Sequence, residues 1–188
     1  MFRSRIIIIG FVGFLLSACQ STHFALDRLM IQQVEKRPNA ENNVSLYCAG
    51  AKSCEFSRID QIEIVNDQSK RVNPNAIRKG YVHLTGEARD QSNLYLTIPA
   101  KQHEVVVHFY PISNKHAEVF HFIHQFKPNK RYQLTMYRKQ SKKAGSLLSV
   151  SPPAPLCVDV HEVNKLVRRF CRPHDAATGV SEFVEEKI

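Results

Sequence analysis

Apolar residues along the middle of the chain recur at every second position, in short runs broken by polar turns. This alternation predicts strands over Ile59–Val65, Gly80–Thr85, Asn93–Ile98, Glu104–Tyr110, Glu118–Phe126 and Arg131–Lys139, with a further one over Ser146–Val150. Turn-forming residues fill the gaps at 66–75, 86–92, 99–102, 111–116, 127–130 and 140–145. Short strands with frequent turns and no long helix between them predict a mainly β fold, an antiparallel β-sandwich of about 6–8 strands. The period changes to 3.6 over Ala25–Lys36, where Leu26, Leu29, Met30 and Val34 fall on one stripe and predict a short N-terminal helix stopped by Pro38. Residues 20–24 read as a polar tether and 37–43 as a loop. Ser151-Pro-Pro-Ala-Pro155 closes the strand region, since Pro cannot donate to a ladder. A short C-terminal helix is predicted over His161–Phe170, and a flexible tail over 176–188.

One hairpin can be registered from its side chains. Val105, Val107 and Phe109 alternate on one strand, as do Phe120 and Phe122 on the next, followed by Phe126. Pairing Val107 with Phe122 and Phe109 with Phe120 faces the apolar sets, and the same register sets His108 opposite His121 on the other face.

The first residues change the picture of where this fold resides. Arg3 and Arg5 precede Ile6–Ala18, an uncharged apolar stretch of 13 residues, too short to span a bilayer and suited to a secretory signal. It ends Leu16-Ser17-Ala18-Cys19, which resembles the lipobox of bacterial lipoproteins. That resemblance implies cleavage before Cys19, acylation of Cys19 and anchoring to a membrane by lipid. Gln20 stands where Asp would retain such a protein in the inner membrane, so the resemblance implies the outer membrane, facing the periplasm. The domain reading is then 1–18 signal peptide, 19–43 lipidated tether and helix, 44–175 β-sandwich, and 176–188 tail.

With Cys19 lipidated, Cys48, Cys54, Cys157 and Cys171 remain in an oxidising compartment and read as two disulfides. Three pairings exist; the local one, Cys48 with Cys54 and Cys157 with Cys171, is favoured because it needs no long-range assumption. The C-x5-C and C-x13-C spacings differ from the short intervals of structural zinc sites.

Ile98-Pro-Ala-Lys-Gln-His-Glu-Val105 and Phe126-Lys-Pro-Asn-Lys-Arg-Tyr132-Gln-Leu resemble the paired motifs of small transthyretin-like envelope modules of the PEGA type. The resemblance covers about 95–140, with Lys101 and Asn129 where those modules carry Gly. It implies a β-sandwich and no activity.

Charge and histidine are the remaining signals. Lys and Arg number 26 against 17 Asp and Glu, and loss of Arg3 and Arg5 would leave 24 cations. Residues 127–143 hold Lys127, Lys130, Arg131, Arg138, Lys139, Lys142 and Lys143 with no acid, and Tyr132 and Tyr137 between them. Behind a lipobox such a run points to anionic envelope polymers or lipid headgroups rather than nucleic acid. A second basic cluster, Arg168-Arg169 with Arg172, would sit at the end of the C-terminal helix.

His103-Glu104-Val-Val-Val-His108 is not a zinc-protease helix: its histidines are five apart, and three consecutive Val favour a strand. His108 and His121 are the pair from which a metal site would start, although exposed strand positions carry His without one, and no metal or other cofactor is expected. No nucleophile elbow, phosphate loop or dinucleotide motif occurs. The sequence therefore points to a non-enzymatic lipoprotein that binds or scaffolds envelope components. The alternative is a secreted metal-dependent or glycan-directed enzyme.

Overall fold

A computed structural model describes residues 19–37, 39–85, 94–139, 154–173 and 181–188. The fold is mostly β. Helix α1 (Cys19–Glu35) leads into β1 (Val44–Ala49), β2 (Ser53–Ile59) and β3 (Ile62–Glu63), and a short helix α2 (Pro74–Arg78) precedes β4 (Val82–Leu84). Strands β5 (Leu94–Ile98), β6 (Gln102–Tyr110), β7 (Glu118–Gln125), β8 (Arg131–Arg138), β9 (Leu156–Glu162), β10 (Lys165–Arg172) and β11 (Val184–Glu186) follow.

They form two sheets. One has seven strands in the order β11-β10-β9-β8-β1-β5-β4, mixed because β1 runs parallel to β8. The other has four antiparallel strands in the order β3-β2-β6-β7. Alternate side chains of both sheets bury into one contiguous core, including Leu46, Leu96, Tyr132, Leu134 and Val158 from the first and Phe56, Val105, Val107, Phe109 and Phe120 from the second. A disulfide between Cys48 on β1 and Cys54 on β2 ties the sheets together, and a second joins the facing residues Cys157 and Cys171 of β9 and β10.

Several expectations change. The C-terminal helix is absent: His161–Phe170 lies in the β9–β10 hairpin, which turns at Val163-Asn164. Leu156, Val158 and Val160 alternate inward, and Val158 faces Phe170, so cross-strand packing decides over helical propensity. The turn was hard to read because β-branched Val163 takes φ 59°, a place usually held by Gly or Asn, and its amide is held by the Arg131 carbonyl at 2.7 Å.

Residues 20–24 are helical rather than a tether. On α1 the buried face is Asp27 and Ile31 with Met30 and Val34, whereas Leu26 and Leu29 are exposed. The Asp27 carboxylate accepts from the Val72 amide and pairs with Arg71 at 3.5 Å, docking α1 on the segment closed by the Val65–Val72 bridge. The Ile59–Val65 strand is broken at Asp60, whose φ of 51° reverses the chain between β2 and β3. The stretch from 44 to 58, in which no strand was expected, supplies β1 and most of β2. The Ser146–Val150 strand lies outside the described residues.

The β6–β7 hairpin keeps its predicted faces but slips by two residues. Val105 faces Phe122 and Val107 faces Phe120, so His108 meets Val119 and His121 meets Val106. Alternation fixes only the parity of a register, and a two-residue shift preserves it.

Candidate functional site

The outer face of the four-stranded sheet carries a buried polar cluster. On β2, Cys54 and Phe56 point into the core and Glu55 points out. On β6, Val105, Val107 and Phe109 point in, so His108 and Tyr110 share the outer face, with His108 directly opposite Glu55. A turn closed by the Val65–Val72 bridge folds over them. Asn66 Oδ1 accepts the amides of Gln68 and Ser69, and the Lys70 amide bonds to the Asn66 carbonyl at 2.8 Å. Lys70 takes φ 55°, and its Nζ reaches Glu55 Oε1 at 2.5 Å and Tyr110 Oη at 2.8 Å. Tyr110 donates to the same Glu55 oxygen at 2.5 Å. His108 Nδ1 lies 3.3 Å from Asp67 Oδ1 and 3.8 Å from Glu55 Oε1. Glu55 and His108 are nearly buried, with side chains 8% and 11% exposed, while Asp67 on the turn is 60% exposed.

Burial alone would push the Glu55 carboxyl up, but the neighbouring His108 imidazole and the hydrogen bonds from Lys70 and Tyr110 outweigh it and bring it from 4.5 down to about 2. Burial would lower the Lys70 ammonium, yet the Glu55 and Tyr110 hydrogen bonds hold it above its ordinary value. The linkage has a definite sign. Unfolded chains bind the Glu55 proton near 4.5 and the folded chain only near 2, so this carboxylate stabilises the fold fully above pH 4.5 and loses that contribution as pH falls to about 2. The contribution is about 3 kcal/mol. Urea unfolding across that window should show the loss in the wild type and a shallower slope in Glu55→Gln; equal slopes would contradict it.

A second ionic group lies farther along this face. Glu104 Oε1 receives Arg58 at 2.6 Å and lies 2.9 Å from His121 Nε2. His108 and His121 thus serve different carboxylates and do not converge as a pair. His103 points the other way, buried between Asp60 Oδ2 at 2.7 Å and the Pro99 carbonyl at 2.9 Å. Burial raises the Asp60 carboxyl, but the Glu104 amide and His103 bring it below its usual value. His103 and Glu104 therefore stand on opposite faces of β6, as strand geometry requires.

The basic run meets acids that only the tertiary fold brings near. Lys127 pairs with Glu162 of β9 at 3.0 Å and Lys139 with Glu186 of β11 at 2.9 Å. The Arg131 guanidinium lies 4.1 Å from the Tyr47 ring centre, and Arg138 donates to the Ala154 carbonyl. Lys130 falls in the turn before β8, and Lys142 and Lys143 lie outside the described residues. The second basic cluster is on β10 rather than at a helix end. Arg168 bonds Glu185 and the Ile123 carbonyl, Arg172 pairs with Glu118 at 2.7 Å, and Arg169 grips Asp159 through two bonds of 2.7 Å. Arg168 and Arg172 thereby join the seven-stranded sheet to β7 at the edge of the other.

Glu55, Asp67, Lys70 and Tyr110 were not singled out by the sequence reading. The one local signal was the Asn66-Asp67 turn pair; the rest depends on the β2–β6 pairing. No protein-family model, curated protein or solved structure matches the chain.

Proposed function

We propose that this chain is a lipid-anchored protein of the bacterial outer membrane, held at Cys19 and presenting a β-sandwich that binds or scaffolds envelope components. The observation that carries the reading is the Leu16-Ser17-Ala18-Cys19 boundary behind a charged start and an apolar stretch. The two disulfides support it, because such bonds persist in oxidising compartments. Two sheets sharing one core support the sandwich. Asn129 has φ 57°, the left-handed conformation that a Gly at that motif position would supply, which supports the likeness to PEGA-type modules.

The partner class is an anionic envelope polymer or an envelope protein, met through 127–143. A polyanion there must compete with Glu162 for Lys127 and with Glu186 for Lys139. Each cation near an anionic surface contributes about 1 kcal/mol and is screened by salt, so this contact is weak singly and salt-sensitive collectively.

Cys19→Ser tests the anchor. The variant should accumulate as unprocessed precursor or appear in the soluble fraction, while the wild type sediments with membranes and carries label from radioactive palmitate. Processing and sedimentation unchanged in the variant would refute the anchor.

A further inference from the structure

The cluster over Glu55 holds a donor set as well as an ion pair. Glu55, Asp67 and His108 each offer one ligand atom, all within 4.8 Å of one another. Donors on a tetrahedral ion with bonds of about 2.0–2.1 Å stand roughly 3.3 Å apart. His108 Nδ1 is 3.3 Å from Asp67 Oδ1 and 3.8 Å from Glu55 Oε1, close to that spacing, and the Glu55 and Asp67 donors lie within 4.8 Å of each other.

We propose that Glu55, Asp67 and His108 form a binding site for a borderline divalent metal ion of the Zn(II) class, and that Lys70 is a built-in competitor for it. The donor chemistry selects the class. One imidazole with two carboxylates suits zinc, whereas calcium and magnesium require a fuller set of oxygens. His108 binds as the neutral imidazole, with its proton on Nε2 and Nδ1 turned to the ion. The side towards Asp67 is open to solvent, so water completes the coordination.

Charge explains the role of Lys70. Two carboxylates converge here, and the ammonium offsets only one of them, 2.5 Å from Glu55 Oε1. A divalent ion offsets both but needs that same oxygen, so Lys70 must leave. Its side chain is 43% exposed and can swing into water. Tyr110 keeps its bond to Glu55 in either state and holds the carboxylate in place. Asp67 and Lys70 are carried by the same turn, so ligand and competitor arrive on one segment over a fixed Glu55–His108 rung. This inference does not depend on acylation of Cys19.

The test is competition between the purified full-length chain and a chromophoric zinc chelator, with melting curves to verify folding. The wild type should take one Zn(II) per chain. Asp67→Asn, at an exposed position on the turn, should weaken binding at least tenfold. Lys70→Gln should tighten it at least tenfold, an effect that a site elsewhere among the histidines would not show. Excess Mg(II) or Ca(II) should not displace the zinc. No zinc bound by the wild type, binding unchanged in Asp67→Asn, or binding no tighter in Lys70→Gln would each overturn the proposal.

Discussion

Phe120→Ala should lower the stability of the folded chain by about 3–5 kcal/mol. Phe120 is fully buried on β7, opposite Val107, and its ring contacts come from three directions. Phe122 lies 5.1 Å away on its own strand, Phe170 of β10 meets it edge-on at 5.1 Å, and Phe183, just before β11, does so at 5.4 Å. The side chain therefore joins both sheets, and truncating it leaves a cavity walled by aromatic rings that cannot collapse inward. The edge-on contacts add to simple area burial. Val119→Ala is the control: its side chain is 53% exposed, and the substitution should stay within about 0.5 kcal/mol. Urea midpoints at constant slope measure both. A Phe120 variant that loses less than about 1 kcal/mol would mean that the two sheets do not share this core.

Gly50→Ala is the second large effect, expected at about 2–4 kcal/mol. Gly50 lies in the short loop closed by the Cys48–Cys54 disulfide and takes φ 88°. A methyl group there would stand 2.8 Å from Thr135 Cγ2 and 2.9 Å from the Met136 amide, and closer still to the Met136 carbonyl oxygen. Those atoms belong to β8, the parallel neighbour of β1, so the backbone itself would have to move. Gly80→Ala separates the two causes. Gly80 also has positive φ, 68°, but its nearest neighbour would be 3.6 Å away, so only the conformational cost of about 1–2 kcal/mol applies. Equal losses in the two variants would show that the β8 contact contributes nothing.

Where the sequence was legible, alternation carried the information. Val105, Val107 and Phe109 face inward as their spacing demands, and so do Phe120 and Phe122. Of the three cysteine pairings open to the sequence, the structure holds the local one, Cys48–Cys54 and Cys157–Cys171. Failures arise where local patterns are ambiguous. His161–Phe170 carries residues compatible with a helix, and only the inward packing of Val158 and Phe170 across the hairpin makes it strand. On α1, the apolar stripe suggested that Leu26 and Leu29 pack inward, but docking through buried Asp27 turns them to solvent. The candidate site was hidden for a different reason. Glu55 and His108 are 53 residues apart in the chain and meet only because β2 pairs with β6. Likewise, Lys127 and Lys139 looked unpartnered because Glu162 and Glu186 come from later strands.

The central claim is the lipid anchor at Cys19, and mass spectrometry of the N-terminal peptide from membrane-extracted protein tests it most directly. Trypsin should release a peptide spanning residues 19–28, beginning at Cys19, with acyl chains on both its thiol and its amine and a correspondingly higher mass and hydrophobicity. A mature N-terminus elsewhere, or a peptide in which Cys19 is present without acylation, would contradict the account.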